Sequence, residues 1–223
     1  MALAGGSIFS WFTPDGEPGA LDGDGIRFNI KYGLHIDFMM GSNENYFFST
    51  GLFMANTGGS LLHDFAERRT DDANLEVVRR SVDYRINYLN IPLNFKLMTN
   101  EVGYSRYFAR VGFDLGLAVN SRYDSRDRLK ADLTDIVRER ENADSGDFTR
   151  FWRAALHIEA GMEYNIGGNT NLFASLEWNN GLNNVFTNQY RRPTVNEQDG
   201  VRINGDRHHA VINYVAVNVG IYF

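Results

Sequence analysis

From Ile26 to Met40 the chain alternates without a break. Ile26, Phe28, Ile30, Tyr32, Leu34, Ile36, Phe38 and Met40 share one parity, and Arg27, Asn29, Lys31, His35 and Asp37 share the other. A period of two marks an extended strand whose two faces meet different surroundings. Length is what makes the segment decisive. A strand in a soluble sheet usually holds ~5–6 residues, whereas a tilted strand that crosses a bilayer needs ~9–11.

Seven further segments follow the same pattern: 3–12, 45–56, 81–98, 105–121, 149–166, 170–181 and 208–223. With 26–40 they make eight, an even number, as a closed bacterial barrel requires. The connections between them are residues 13–25, 41–44, 57–80, 99–104, 122–148, 167–169 and 182–207, alternately long and short. Membrane barrels segregate short periplasmic turns from long extracellular loops. The expected fold is therefore all-β: one domain over 1–223, an eight-stranded antiparallel up-and-down transmembrane β-barrel with both termini in the periplasm.

Composition agrees with this reading. No apolar run approaches the ~20 residues of a membrane helix, yet alternating strands keep mean hydropathy low in any barrel. Cysteine is absent, which excludes disulfides, thiol nucleophiles and Cys-ligated metals. The net charge of -6 lacks the basic footprint expected for nucleic acid. Met1–Gly6 is too short for a signal peptide and has no basic segment, so the sequence reads as a processed form.

Two irregularities stand out. In 81–98 the apolar parity changes: Tyr84, Ile86 and Tyr88 share one phase, and Leu89, Ile91, Leu93, Phe95 and Leu97 take the other. An inserted residue would do this, which predicts a β-bulge near Tyr88–Pro92. In 122–148, Leu129, Leu133, Ile136 and Val137 recur at helical spacing, which predicts a short amphipathic helix.

The final strand, Val215–Phe223, resembles the closing strand of bacterial outer-membrane barrels. In those proteins an aromatic ending, here Tyr222 and Phe223, is read by the barrel assembly machinery. Asn87-Tyr88-Leu89-Asn90-Ile91-Pro92-Leu93-Asn94-Phe95-Lys96 resembles the Pro-containing strand of the PorT-like outer-membrane barrel family of Bacteroidota-type bacteria. Arg110–Leu117, Gly161–Ile166 and Asn179–Val185 fit the same family. The resemblance implies an eight-stranded barrel in the outer membrane of a Gram-negative bacterium, surrounded by outer-membrane lipid. It carries no catalytic motif and no cofactor; one founding member serves type IX protein secretion.

If the apolar parity faces lipid, the interior receives Arg27, Lys31, Lys96, Arg110 and Arg153 against Asp37, Asp114, Glu159, Glu163 and Glu177, joined by His35 and His157. An eight-stranded barrel is just wide enough for its side chains to fill it, and buried charges persist only when paired. Near-equal counts predict a salt-bridged, closed lumen.

Candidate chemistry is sparse. His35 with Asp37, and His157 with Glu159, share a face, but Ser49 and Ser175 lie beside no histidine in sequence. His208 and His209 point to opposite faces of any strand, which argues against joint chelation with His63. Asp15, Glu17, Asp22 and Asp24 offer calcium-type oxygens without the spacing of an EF-hand. No metal or cofactor is expected. The best-supported role is a non-catalytic accessory subunit with protein partners in an outer-membrane complex. Alternatives are a small porin or transporter, a membrane-embedded lipid hydrolase, and a soluble lipocalin-like barrel with the two faces inverted.

Overall fold

The computed structural model describes residues 1–14, 22–68, 75–129, 136–187, 194–196, 200–202 and 209–223. Its strands are β1 (Ala2–Pro14), β2 (Asp22–Gly23), β3 (Arg27–Met39), β4 (Tyr46–Arg68), β5 (Leu75–Met98), β6 (Ser105–Leu129), β7 (Ile136–Asp144), β8 (Trp152–Gly167), β9 (Thr170–Gly181), β10 (Thr194–Asn196), β11 (Gly200–Arg202) and β12 (Ala210–Tyr222). Antiparallel pairing runs β1-β3-β4-β5-β6-β8-β9-β12. The β1–β12 ladder, from Ala2↔Tyr222 to Pro14↔Ala210, closes the ring. Eight strands thus form a closed barrel, in which each strand of the ring pairs with a neighbour on both sides.

Short turns join β3 to β4, β5 to β6 and β8 to β9 at one end. The other end differs from the sequence expectation. Residues 57–68 and 75–80 are strand, not loop: the β4–β5 ladder continues to Arg68↔Leu75. Nor do the described residues of 122–148 hold a helix. β6 continues to Leu129, and 136–144 returns as β7 along its other edge, with Arg128↔Ile136 and Arg126↔Glu139 in register. Leu133 lies outside the described residues. The physical reason is tertiary pairing. A helix of two turns is marginal alone, whereas β7 satisfies the outward backbone groups that β6 presents once it leaves the ring. The Arg126–Glu139 ion pair, 2.5 Å, reinforces the ladder.

The strands β4, β5 and β6, of 23, 24 and 25 residues, are about twice the ~9–11 that a bilayer requires. β5 shows where the excess lies. Its even-numbered side chains face inward along the whole described length: Val82, Tyr84, Ile86 and Tyr88, then Asn90, Asn94 and Lys96, are all buried. The odd-numbered ones face outward, and Leu93, Phe95 and Leu97 are exposed.

The change of apolar parity at Tyr88–Leu89 therefore corrects the predicted bulge in β5. The chain does not flip; its solvent does. Beyond Tyr88 the barrel is built like a soluble one, apolar inside. Below Leu89 it is inverted, apolar outside. A register shift does fall at Asn87/Tyr88, but the extra residue is Val119 of the facing strand β6, between Ala118 and Asn120. Pro92, which has no N–H, sits where the β4–β5 ladder lapses between Thr50↔Leu93 and Phe53↔Asn90.

The interior is layered. At the long-hairpin end Phe12, Leu61, Val82, Tyr84, Ile86, Tyr88, Val185, Phe186 and Ile212 form an apolar cap. Phe12, Tyr84 and Phe186 meet there with ring centroids 5.1 to 5.9 Å apart. At the short-turn end Ala2, Ala4, Phe53, Met98, Phe108, Phe173 and Tyr222 form a second layer. The polar interior lies between them.

Candidate functional site

The middle of the lumen is one connected network of charges. Lys96 Nζ donates to Asp37 at 2.7 Å, to Glu163 at 2.6 Å and to the Tyr222 hydroxyl at 3.2 Å. Arg110 donates to Glu159 at 2.6 Å and to the same hydroxyl at 2.5 Å. That hydroxyl in turn donates to Asp37 at 2.8 Å. His157 lies 3.2 Å from Asp114 and 3.4 Å from both Glu159 and Glu177. Lys31 pairs with Glu177, which also receives Tyr214 at 2.8 Å and Asn218 at 2.9 Å. Asn179 links Asp114, at 2.7 Å, to Arg153, whose other partner is the carbonyl of Ile212 at 2.9 Å.

Strand geometry explains why these groups meet. Lys31 and Asp37 come from β3, Lys96 from β5, Arg110 and Asp114 from β6, Arg153 to Glu163 from β8, and Glu177 from β9, each on the inward parity of its strand. Arg110 is 0% exposed, and Lys96, Glu159 and Glu177 are 1% exposed. Ions that far from water are tolerable only when paired, and each of these four has an opposite charge within 2.7 Å. Aromatic faces add further partners: Lys96 Nζ lies 4.5 Å from the Tyr222 ring centroid and Arg110 lies 4.5 Å from that of Phe108.

The structure brings ten of the twelve residues expected inside into this network; Arg27 and His35 stand apart from it. Arg27 sits at the long-hairpin end of β3, half-buried in a groove beside Asn29 and Asn56. His35 is buried against the Phe53 ring, 4.5 Å between centroids. The reading from sequence left Asn179, Asn218, Tyr214 and Tyr222 out of the charge network, although the alternation of 215–223 already puts Asn218 and Tyr222 on the face opposite the valines. The two asparagines lie on the inward parity and were available to the same argument. The two tyrosines count as apolar in any alternation, so their hydroxyls leave no signal. Phe223 is 60% exposed on the outward face at the short-turn end.

The hydrolytic arrangement considered from sequence is not assembled by the described residues. Ser49 donates to Asp37 at 2.5 Å and Ser175 donates to Glu159, neither to a histidine. Of the surface metal candidates, Asp15, Glu17 and His208 lie outside the described residues, and His209 contacts Asn184 at 3.4 Å. Asp114, His157 and Glu177 bring ligand-type atoms within 4.8 Å of one another; these are the same atoms that form the ion pairs above.

A closed β-ring with an apolar outer band and a charged interior inverts the arrangement of a soluble barrel. Residues 3–187 match the family model for the outer membrane protein beta-barrel domain. The chain belongs to this family. It is an outer-membrane protein, and in such barrels the short turns face the periplasm and the long hairpins the exterior. Three solved structures align over nearly the whole chain. Neisserial surface protein A (NspA) is 8% identical with a TM-score of 0.47, covering 100% of this chain and 96% of its own. Ail, the attachment invasion locus protein of Yersinia pestis, is 12% identical with a TM-score of 0.27, covering 99% and 97%. Ail in complex with the heparin analogue sucrose octasulfate is 13% identical with a TM-score of 0.33, covering 99% and 97%. No curated protein matches the chain.

Proposed function

We propose that this outer-membrane barrel is a non-catalytic accessory subunit of an outer-membrane protein complex, and that protein export of the type IX kind is the process it serves. The observation that carries the reading is the division of labour within the molecule. The lumen is occupied by paired charges between two aromatic layers, which leaves the surface as the working part. The surface extends outward as the continuous ladders of β4 with β5 and of β6 with β7. Recognition commonly sits on extensions held by a rigid scaffold. The PorT-like character of Asn87–Lys96 supports the finer assignment to secretion.

Purification of the tagged full chain from its native outer membrane in mild detergent, with the intact particle weighed, tests the proposal. The expected result is a particle larger than one barrel, with companions in fixed ratio that are lost when residues 125–142 are deleted. A lone barrel overturns the subunit reading. Companions retained by the deletion variant move the contact away from the β6–β7 hairpin.

A further inference from the structure

The outer wall carries a groove of about 250 Å³ at the upper edge of the apolar band, where β4 leaves the ring. β3 and β4 pair only as far as Lys31↔Ala55. Beyond that point β4 turns inward, and the Ser10 hydroxyl donates to the Gly58 carbonyl at 2.8 Å and accepts from its N–H at 3.1 Å. The upper end of β3 stays with β1, Arg27 opposite Ser10. The resulting step in the wall is lined by Arg27, Arg85, Arg122, Asn56, Asn87 and Asn120 and holds no carboxylate in its lining.

Cross-strand register orders these groups by height. Met54, Leu89 and Leu117 are neighbours across β4, β5 and β6; two residues further up come Asn56, Asn87 and Asn120; Arg85 and Arg122 follow as direct partners. Successive rows are ~6–7 Å apart along the strands. The order is hydrocarbon-facing, then amide, then guanidinium, over the distance in which an amphiphile passes from acyl chain through its ester or sugar region to its phosphate.

The guanidinium groups have spare capacity. Like charges placed directly opposite on neighbouring strands repel, yet Arg85 and Arg122 are so placed. Arg85 engages Asp124 at 2.7 Å through one nitrogen, while its Nε and that of Arg27 are buried without an acceptor among the described residues. Among the described residues Arg122 donates only to the Asn142 carbonyl, at 3.3 Å. Arg27 stands between Ile26 and Phe28, which are 70% and 63% exposed on the outer face. On the outer face its charge is thus flanked by apolar side chains, at the height of the Arg85 and Arg122 pair.

We infer that this groove binds the phosphate of a phosphorylated lipid in the outer leaflet, with Arg27, Arg85 and Arg122 on the phosphate and the three asparagines on the polar groups beneath it. Arginine suits the task because its planar fork meets phosphate oxygens in pairs. The inference does not depend on the accessory-subunit reading.

The test uses the full chain in phosphatidylcholine nanodiscs doped with lipid A or with dephosphorylated lipid A, followed by native mass spectrometry of the released protein. The unaltered chain is expected to retain lipid A and to release the dephosphorylated form. The triple variant Arg27→Gln, Arg85→Gln, Arg122→Gln is expected to retain at least about tenfold less, as befits the loss of charge-assisted hydrogen bonds. Folding is verified by the heat-dependent gel mobility of the barrel. Should the triple variant fail that check, Arg122→Gln alone, at an exposed position, carries the comparison. Equal retention of the two lipids, equal retention by the folded variant, or no retention by the unaltered chain overturns the inference.

Discussion

Lys96 shows how much a single residue holds. Its ammonium, 1% exposed, joins two carboxylates and a phenol from three other strands. Replacing it by Met keeps much of the volume but leaves Asp37 and Glu163 without their cation. Loss of one partner from a buried ion pair typically costs ~3–5 kcal/mol. Denaturant unfolding from lipid vesicles is expected to show Lys96→Met destabilised on that scale. Glu44→Gln removes the exposed Arg106 contact at 3.9 Å and is expected to cost under ~1 kcal/mol. Equal midpoints for Lys96→Met and the unaltered chain would refute the network's structural role. At this scale the sequence was largely legible, because inward parity alone selected Lys31, Asp37, Lys96, Arg110 and the β8 charges. It failed for Arg27, whose parity is inward but whose neighbour strand has left the ring, and for tyrosine hydroxyls that alternation cannot see.

At the scale of elements, β5 passes through two solvents. The same outward face carries Ser81, Asp83, Arg85 and Asn87 above the band and Leu89, Ile91, Leu93, Phe95 and Leu97 within it. A cation introduced on the lipid face of a barrel costs ~2–4 kcal/mol near the midplane and little at the rim. Leu93→Lys should therefore lower unfolding free energy by about that amount, and Ser81→Lys by less than ~1 kcal/mol; comparable losses would place both residues in the same medium. The bend of β4 makes a second prediction. Gly58 has φ of +152° there, and a Cβ would lie 2.0 Å from the Tyr84 carbonyl oxygen. Gly58→Ala is expected to cost at least ~1–3 kcal/mol in the same unfolding assay, and a neutral result would show that β4 can turn inward without glycine. The alternation exposed each strand but not its environment. A parity change produced by a bulge and one produced by a change of solvent are identical in one strand, and only the facing strand, with its extra Val119, separates them. The helical stripe in 122–148 misled for a related reason: Leu129 and Ile136 belong to strands that neighbouring backbone, not local propensity, holds extended.

For the whole molecule, closure of the ring and filling of its lumen act together. A charged interior without the apolar cap of Phe12, Tyr84 and Phe186 would admit water from the outside, and the cap without the ring would have no wall to pack on. Planar bilayers containing the purified chain are accordingly expected to show no ohmic steps; steady conductance altered by Glu159→Gln would establish an open path through the network. The central claim is the exchange of outer solvent along a continuous strand, and the absence of cysteine permits a direct test. Single cysteines at residues 81, 83, 85, 87, 89, 91, 93, 95 and 97 would be spin-labelled in vesicles, and their collision rates with oxygen and with a water-soluble nickel complex compared. The structure predicts nickel-accessible labels through Asn87 and oxygen-dominated labels from Leu89 onward. A uniform profile, or a crossover displaced by more than one residue pair, would contradict it.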